Sequence, residues 1–184
     1  SGIQVQNGND SRAHLAGAAM PLYGTAMGVE NDKTPTAELQ HLASIIEVNV
    51  FNGVSPVLNV SEVKVTANQA ITGSFKVDFA EGTVTPVDGQ TSNTAVLSVN
   101  GATSLEKGQS AKFYLAVKPF TATPVDGLTI TINGVEKALE LTESLNFVPG
   151  QTTSIDVTYY TIDFQESLVG AYQIKGLWVY GGTG

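Results

Sequence analysis

The sequence contains no cysteine, one arginine and few charged residues of either sign. Without cysteine, a disulfide framework, a thiolate metal site and a thiol nucleophile are all excluded. Charged residues make up 14% of the 184 residues, about half the usual share of a soluble domain. The lack of cysteine fits the cytosol and also a bacterial envelope protein that folds without disulfides. Because disulfides and thiolate metal sites are excluded, the stability of the fold must come from packing.

Long apolar runs are also missing. No stretch approaches the roughly 20 apolar residues that span a bilayer, and the first residues lack the charged-then-apolar order of a signal peptide. The chain begins at Ser1 rather than at methionine, which we interpret as the result of processing or trimming. We expect any export signal or lipid-anchor cysteine to lie upstream, so that membrane attachment depends only on that anchor.

The balance of charge is acidic, with 9 basic and 17 acidic residues and a net charge of -8. Such a chain repels a phosphate backbone, because nucleic-acid binding depends on clustered lysine and arginine. We therefore expect no nucleic-acid partner. A length of 184 residues fits one domain, with or without the edge of a second.

The chain divides into two parts by composition. Residues 1–43 are dominated by glycine, alanine and polar residues without a strict period, and are predicted to form an extended N-terminal segment that packs on a sandwich. Residues 44–184 are predicted to form the β-sandwich domain, and residues 161–184 either belong to it or form the edge of a lost second domain. Residues 38–44 are predicted to form a single helical turn. The side chains expected to pack from the N-terminal segment onto the sandwich are Met20, Leu22, Tyr23 and Met27.

Most of the chain consists of short runs of alternating apolar and polar residues that end in turn signals. The first run, at residues 44–51, points Ile46, Val48 and Val50 one way and Glu47 the other, as in a half-buried strand. Further strands are predicted at residues 60–66, 75–79, 94–99, 111–117, 152–160 and 171–180. In the second of these, Phe75, Val77 and Phe79 are predicted to face inward.

Pairs of turn residues separate these runs. The pairs Asp88-Gly89, Asn100-Gly101 and Lys107-Gly108 are predicted to lie in loops or turns. Asn133-Gly134 lies between two β-capable runs and predicts a hairpin, because a type I′ turn needs positive φ at both central positions. No long helical pattern intervenes, so the predicted fold class is all-β, a sandwich or barrel of about seven or more mainly antiparallel strands.

Residues that could carry chemistry are few. His14 and His41 are far apart and lack acidic neighbours in ligand spacing, so we interpret them as surface or linker histidines. Glu30 and Asp32 lack the alternating oxygens and central glycine of an EF-hand loop. The sequence contains neither a glycine-rich phosphate loop nor a nucleophile elbow. We therefore expect no enzyme activity, no metal and no cofactor.

Three residues remain as candidates for function. Arg12, the only arginine, lies in a polar segment and is either a solvated linker residue or an exposed site for an arginine-specific protease. Trp178 and Tyr180 share one face of the last run. If that face is exposed, the pair can stack on a sugar ring; otherwise it covers the end of the core or a neighbouring domain.

Five segments follow one another in a fixed order, and each is a loose motif. They are MPLYG at 20–24, HLASIIEVNVFNG at 41–53, VSEVKVTANQAITGSFKVDF at 60–79, AKFYLAVKPFT at 111–121 and LNFVPGQTTSIDVTY at 145–159. Taken together, their order and spacing resemble the fimbrillin family of Bacteroidetes surface proteins. The resemblance covers most of residues 20–160.

The resemblance implies a transthyretin-like β-sandwich of Greek-key type, exported as a lipoprotein to the outer membrane or a fimbria. In polymerising relatives, cleavage after an arginine removes an N-terminal strand, and the groove accepts a strand of the next subunit. It therefore implies a fimbrial subunit or a tip or anchor component, whose partners are other subunits or host or bacterial surface ligands, and Arg12 as the candidate cleavage site. The alternative is a carbohydrate-binding module of a surface glycan-capture system, with Trp178 and Tyr180 as its stacking pair.

Overall fold

The computed structural model describes residues 3–26, 37–53, 56–80 and 83–159, and most of these residues lie in β-strands. Two single 3₁₀ turns, Ala13–Leu15 and Gly17–Ala19, lie between the first two strands. In chain order the strands are β1 (Gln4–Asn7), β2 (Leu22–Ala26), β3 (Ala37–His41), β4 (Ser44–Asn52), β5 (Val57–Thr66), β6 (Thr72–Asp78), β7 (Thr83–Ser92), β8 (Thr94–Glu106), β9 (Ser110–Val117), β10 (Phe120–Ala122), β11 (Leu128–Ile132), β12 (Val135–Leu139), β13 (Leu145–Phe147) and β14 (Thr152–Tyr159).

Two sheets form the body of the protein. One has five strands in the order β1-β8-β5-β11-β12, and the other has three in the order β14-β4-β9. Their strand pairs are antiparallel, apart from β1 with β8 and β14 with β4, which are parallel. The predicted all-β sandwich of mainly antiparallel strands is confirmed.

One apolar interior lies between the two sheets, because each strand turns alternate residues inward. Ile46, Val48 and Val50 of β4 are fully buried, as the alternation predicts. The neighbouring strand β9 and the facing strands β5, β8 and β11 contribute further fully buried residues to the same cluster, which include Phe113 and Leu115 from β9 and Val60, Val63, Val65, Leu97 and Ile130 from the facing sheet. This cluster is the stabilising core of the sandwich.

The Asn133-Gly134 hairpin is confirmed. Ile132 pairs with Val135, and Asn133 and Gly134 have φ of 49° and 85°, as a two-residue turn with two left-handed positions requires. The Asn133 side chain does more than turn the chain, since its Oδ1 accepts a hydrogen bond of 2.9 Å from the backbone N–H of Ser61. The hairpin is thereby tied to β5 at the point where the pairing of β5 with β8 shifts.

The prediction that Asn100-Gly101 separates two strands is wrong. Strand β8 runs through the pair, and Gly101 and Ala102 adopt φ of 80° and 41° inside it. On β8 the pairing with β5 jumps from Ser98 to Thr103, so the extra residues form a bulge. Positive φ serves bulges and turns alike, and the sequence pattern alone does not distinguish them.

Strands β6 and β7 form a hairpin of their own beside the sandwich. Phe75 and Val77 are only half-buried there, and Phe79 is 59% exposed, so the prediction that all three face the core is wrong. The pair Asp88-Gly89 lies inside β7 rather than in a loop, which corrects a second prediction. The alternation of apolar and polar residues shows that one face of this hairpin is more apolar. It does not show whether another part of the protein covers that face.

Strands β2 and β3 also pair as a separate antiparallel unit. The helical turn predicted for residues 38–44 is wrong, since β3 occupies most of that range. Met20 packs against buried residues of the sandwich, as predicted, whereas Leu22 is exposed. Met27 lies outside the described residues, and so does the strand predicted at residues 171–180.

Candidate functional site

The N-terminal strand β1 lies between the edges of the two sheets. It pairs in parallel with β8, from Gln4 opposite Leu97 to Asn7 opposite Asn100. Strand β9 is the edge of the three-stranded sheet, and the side chains of β1 contact it. Strand β1 therefore occupies a groove, which we call the β8/β9 groove.

Two glutamine side chains satisfy the free edge of β9. The Gln4 amide donates a 2.9 Å hydrogen bond to the carbonyl of Ala116 and accepts one of 2.8 Å from the Ala116 N–H. Gln6, which is 0% exposed, accepts a 3.0 Å hydrogen bond from the Tyr114 N–H and donates one of 2.9 Å to the Lys112 carbonyl. Each carboxamide thus acts as a short piece of β-strand, because it offers one donor and one acceptor.

The chain after β1 continues the pairing with β9 and then crosses its outer face. Asp10 donates its backbone N–H to the Lys112 carbonyl at 3.2 Å, and the Asn9 side chain accepts the Lys112 N–H at 3.0 Å. The Arg12 guanidinium then lies 4.3 Å from the centre of the Tyr114 ring. Leu15 is buried beyond it, in a small cluster with Tyr114 and Ala116. The N-terminal segment is therefore anchored at several successive points.

Glu47 is the charged centre of this anchor. Its side chain is only 8% exposed, and its oxygens lie 3.1 Å from Arg12 Nη2 and 3.1 Å from Lys112 Nζ. The Ser154 hydroxyl donates a further hydrogen bond of 3.0 Å. Glu47 points away from the sandwich core, as the alternation predicts, but the N-terminal segment covers it.

The pKa of the Glu47 carboxyl lies below its ordinary value. Burial alone would raise this pKa, but hydrogen bonds from Lys112 and Ser154, together with the positive charge of Lys112, outweigh it. The same ion pair raises the pKa of the Lys112 ammonium. Glu47 therefore stays ionised and holds the two cations near neutral pH.

The structure places the residues singled out in the sequence as follows. Arg12 is not a free linker residue, since it contacts Tyr114 and Glu47, although its side chain is 51% exposed. His14 Nε2 lies 2.8 Å from the Tyr114 carbonyl oxygen. Trp178 and Tyr180 lie outside the described residues, as do Glu30 and Asp32.

Sequence reasoning missed Gln4, Gln6 and Glu47 as site residues. Gln4 and Gln6 lie in a part of the chain read as aperiodic, yet residues 3–6 alternate apolar side chains with carboxamides. That short alternation was the available signal for a strand whose buried face is polar. No comparable signal marks Glu47, because its burial depends on a segment more than thirty positions away, as its hydrogen bond with Arg12 shows.

A second surface lies where β2, β3 and β7 meet the end of β9. The ring of Tyr23 lies 5.8 Å from that of Phe79, and the Tyr23 hydroxyl donates a 2.7 Å hydrogen bond to Gln40 Oε1. Nearby, Lys118 Nζ lies 5.8 Å from the centre of the Phe75 ring. An open cleft in this region, here called the Tyr23 cleft, is lined by Tyr23, Gln40, His41, Leu42, Val84, Lys118, Pro119 and Pro149.

Neither a metal site nor a membrane-spanning helix is found in the described part of the chain. Across residues 3–26, 37–53, 56–80 and 83–159, no three His, Cys, Asp or Glu side chains cluster closely enough to hold a metal ion. No helix in these ranges is long and apolar enough to cross a bilayer.

Comparison with known proteins finds distant similarity to solved structures. No family model and no curated protein matches the chain. A crystal structure of a proposed cell adhesion protein from Bacteroides thetaiotaomicron is 14% identical, with a TM-score of 0.41, over 75% of this chain and 56% of that one. One from Bacteroides uniformis is 16% identical, with a TM-score of 0.41, over 74% and 61%. One from Bacteroides fragilis is 15% identical, with a TM-score of 0.38, over 70% and 45%. This chain therefore spans less than two thirds of the length of each.

Proposed function

We propose that the chain is a non-enzymatic surface protein, a fimbrillin-like subunit or a tip or anchor component, that assembles by β-strand addition. The observation that supports this most is the position of β1 in the β8/β9 groove. A strand at one end of the chain completes the edges of two sheets there. Unpaired sheet edges recruit strands of other chains, so a groove that needs a strand is a natural docking site.

Strand β1 adds little to the apolar interior. Ile3 and Val5 are exposed, and among the described residues no member of β1 belongs to the main core cluster. Its attachment rests on the ladder with β8 and on the hydrogen bonds of Gln4 and Gln6. We therefore expect the sandwich to stay folded when β1 leaves the groove.

In this proposal, cleavage after Arg12 controls that departure. A cut after Arg12 would free residues 1–12, which include β1 and the ion pair with Glu47. Departure of this fragment would remove the partners of backbone groups on both strands. These groups lie on Leu97–Asn100 of β8 and on Lys112, Tyr114 and Ala116 of β9. Such exposed edge groups are the chemical drive for accepting another strand.

An arginine-specific protease tests the proposal, because the chain contains a single arginine. Digestion stopped when about half of the chains are cut should yield one cleavage, a fragment of residues 1–12, and a ladder of oligomers on gels run without heating. We expect the oligomers to resist the detergent in these gels, because an added strand pairs along its whole backbone with the β8 edge of the groove. Mass spectrometry verifies the cut.

The matched control is Arg12→Lys, which keeps a positive charge near Glu47 and Tyr114 but removes the protease site. This variant should remain uncut and monomeric under the same conditions. A wild-type sample that is cut after Arg12, loses the fragment and still runs only as a monomer would contradict assembly by strand addition.

The same proposal gives a location and partners. Display at the cell surface, on the outer membrane or in a fimbria, would depend on an upstream lipid anchor. The partners would be other subunits, through strand exchange, or ligands on host or bacterial surfaces. The net charge of -8 argues against nucleic acid as a partner.

The Tyr23 cleft favours a second candidate function, carbohydrate binding. Phe79 presents an exposed ring beside Tyr23, and Gln40, His41 and Lys118 supply polar groups around it. An aromatic face bordered by donors and acceptors is suited to one side of a sugar ring. This surface would take the role that the sequence suggested for Trp178 and Tyr180.

Replacing Phe79 with alanine should weaken binding to immobilised glycans about five- to tenfold, since a stacking contact is worth roughly 1 kcal/mol. Retention of the purified chain on a glycan array measures the effect. Phe51→Ala removes another exposed ring, at the end of β4 and outside the cleft, and should bind as wild type does. Equal binding by Phe79→Ala and wild type would exclude the Phe79 ring beside the cleft as a sugar-stacking surface.

A further inference from the structure

The β8/β9 groove makes an unusual demand on the strand that fills it. On the β8 side, the strand pairs through its backbone, as any sequence can. On the β9 side, side chains satisfy the Tyr114 and Ala116 N–H groups and the Ala116 carbonyl, and the Lys112 carbonyl accepts from the Gln6 side chain as well as from the Asp10 backbone N–H. The β9 side can therefore read the sequence of its occupant.

Only a carboxamide meets this demand at each of the two positions. The hydroxyl of serine or threonine is too short, and a carboxylate lacks the donor. An apolar side chain would leave buried groups on the β9 edge without partners. Gln6 shows the requirement most clearly, because it is 0% exposed and makes bonds of 2.8–3.0 Å to three backbone groups. The two positions are separated by one residue, so they lie on the same face of a strand.

We infer that the β8/β9 groove selects an extended strand with carboxamide side chains at alternate positions, and that in an assembly of identical chains this strand is β1 of a second, uncut copy. Along the whole sequence, two Asn or Gln residues separated by one position occur only at Gln4 and Gln6 and at Asn7 and Asn9. Both pairs belong to the N-terminal segment. This inference rests on the proposed function, since it names the strand that is added.

The test measures exchange of the 12-residue fragment in the chain nicked after Arg12, which retains every residue of the protein. A fluorescent peptide with the sequence of residues 1–12 is added to the nicked chain, and fluorescence anisotropy reports its entry into the groove. Unlabelled peptides then compete with it. All arms share the same nicked protein, so no substitution can disturb folding.

Three competitors separate the readout of carboxamides from ordinary strand pairing. Gln6→Met keeps the length of the side chain but removes both polar groups, and Gln6→Glu keeps the acceptor but removes the donor. Both should compete at least tenfold less well than the wild-type peptide, because buried backbone groups on β9 lose their partners. Val5→Thr alters the exposed face of β1 and should compete as well as wild type.

The outcomes distinguish the inference from the proposed function. If the wild-type peptide never enters the nicked chain, strand addition at this groove is wrong, and the inference falls with it. If the wild-type peptide enters and both Gln6 peptides compete equally well, strand addition stands and the inference is overturned. Entry of the wild-type peptide with loss of competition by both Gln6 peptides supports both.

Discussion

Replacing Phe113 with alanine is expected to lower the free energy of unfolding by about 3–5 kcal/mol. Phe113 is 0% exposed and lies on β9 opposite Val48 of β4, inside the main core cluster. Loss of its ring removes buried apolar area and leaves a cavity that two rigid sheets cannot close. Urea denaturation monitored by far-ultraviolet circular dichroism measures the change in the free energy of unfolding.

The same measurement on Phe79→Ala provides the control. Phe79 is 59% exposed at the end of the β6-β7 hairpin, so its loss should cost less than about 1 kcal/mol. Phe113 and Phe79 both belong to alternating runs in the sequence, and only the structure shows that one is buried and the other exposed. Equal destabilisation by the two substitutions would refute the division between the sandwich core and the peripheral hairpin.

Replacing Glu47 with glutamine is expected to destabilise the anchored N-terminal segment by about 1.5–3 kcal/mol, the usual worth of hydrogen bonds to a charged group. Glutamine has nearly the same shape but cannot balance the charges of Arg12 and Lys112, which lie 3.1 Å away. The rate of cleavage by the arginine-specific protease should therefore rise at neutral pH. Hydrogen exchange of the amides of β1 gives an independent measure.

The pH dependence of this anchor follows from the lowered pKa of Glu47. Because the folded-state pKa lies below the ordinary value of 4.5, the stabilisation is fully present above about pH 4.5 and disappears as the pH falls through the folded-state pKa. In Glu47→Gln this part of the acid dependence should be absent. An unchanged acid profile in the variant would show that Glu47 is not the group responsible.

Glu62 supplies the control for Glu47. Its carboxylate lies 2.9 Å from Lys64 Nζ, but both side chains are about one third exposed. Solvent screens such a pair, so Glu62→Gln should change stability by less than about 1 kcal/mol. If Glu62→Gln increases cleavage after Arg12 as much as Glu47→Gln does, the effect reflects general charge loss and not the anchor.

Alternation in the sequence predicted the inner strands well. Val48, Val63 and Phe113 alternate with polar residues and are buried, because a sandwich strand buries one face and leaves the other toward solvent or a covering segment. The turn at Asn133-Gly134 was equally readable, since few residue pairs accept positive φ at both positions. These features depend on a few neighbouring residues and are therefore local.

Other features were beyond local patterns. Phe75 and Phe113 sit in equally regular runs, and only the sheet to which each run belongs decides which one reaches the core. The candidate site was not predicted from the sequence for a related reason. Gln6 is buried by two strands that follow it at a distance of about a hundred residues, and a glutamine carries no sign of such burial in its own neighbourhood.

The parallel pairing of β14 with β4 has a consequence for how the chain reaches its native state. Strand β4 is the middle of its sheet, yet one of its two neighbours, β14, ends at Tyr159. Contacts between residues so far apart slow the search for the native topology, because a long loop must close before they form. The three-stranded sheet therefore cannot be completed on the ribosome until residue 159 has been synthesised, so β4 is made more than a hundred residues before its second neighbour.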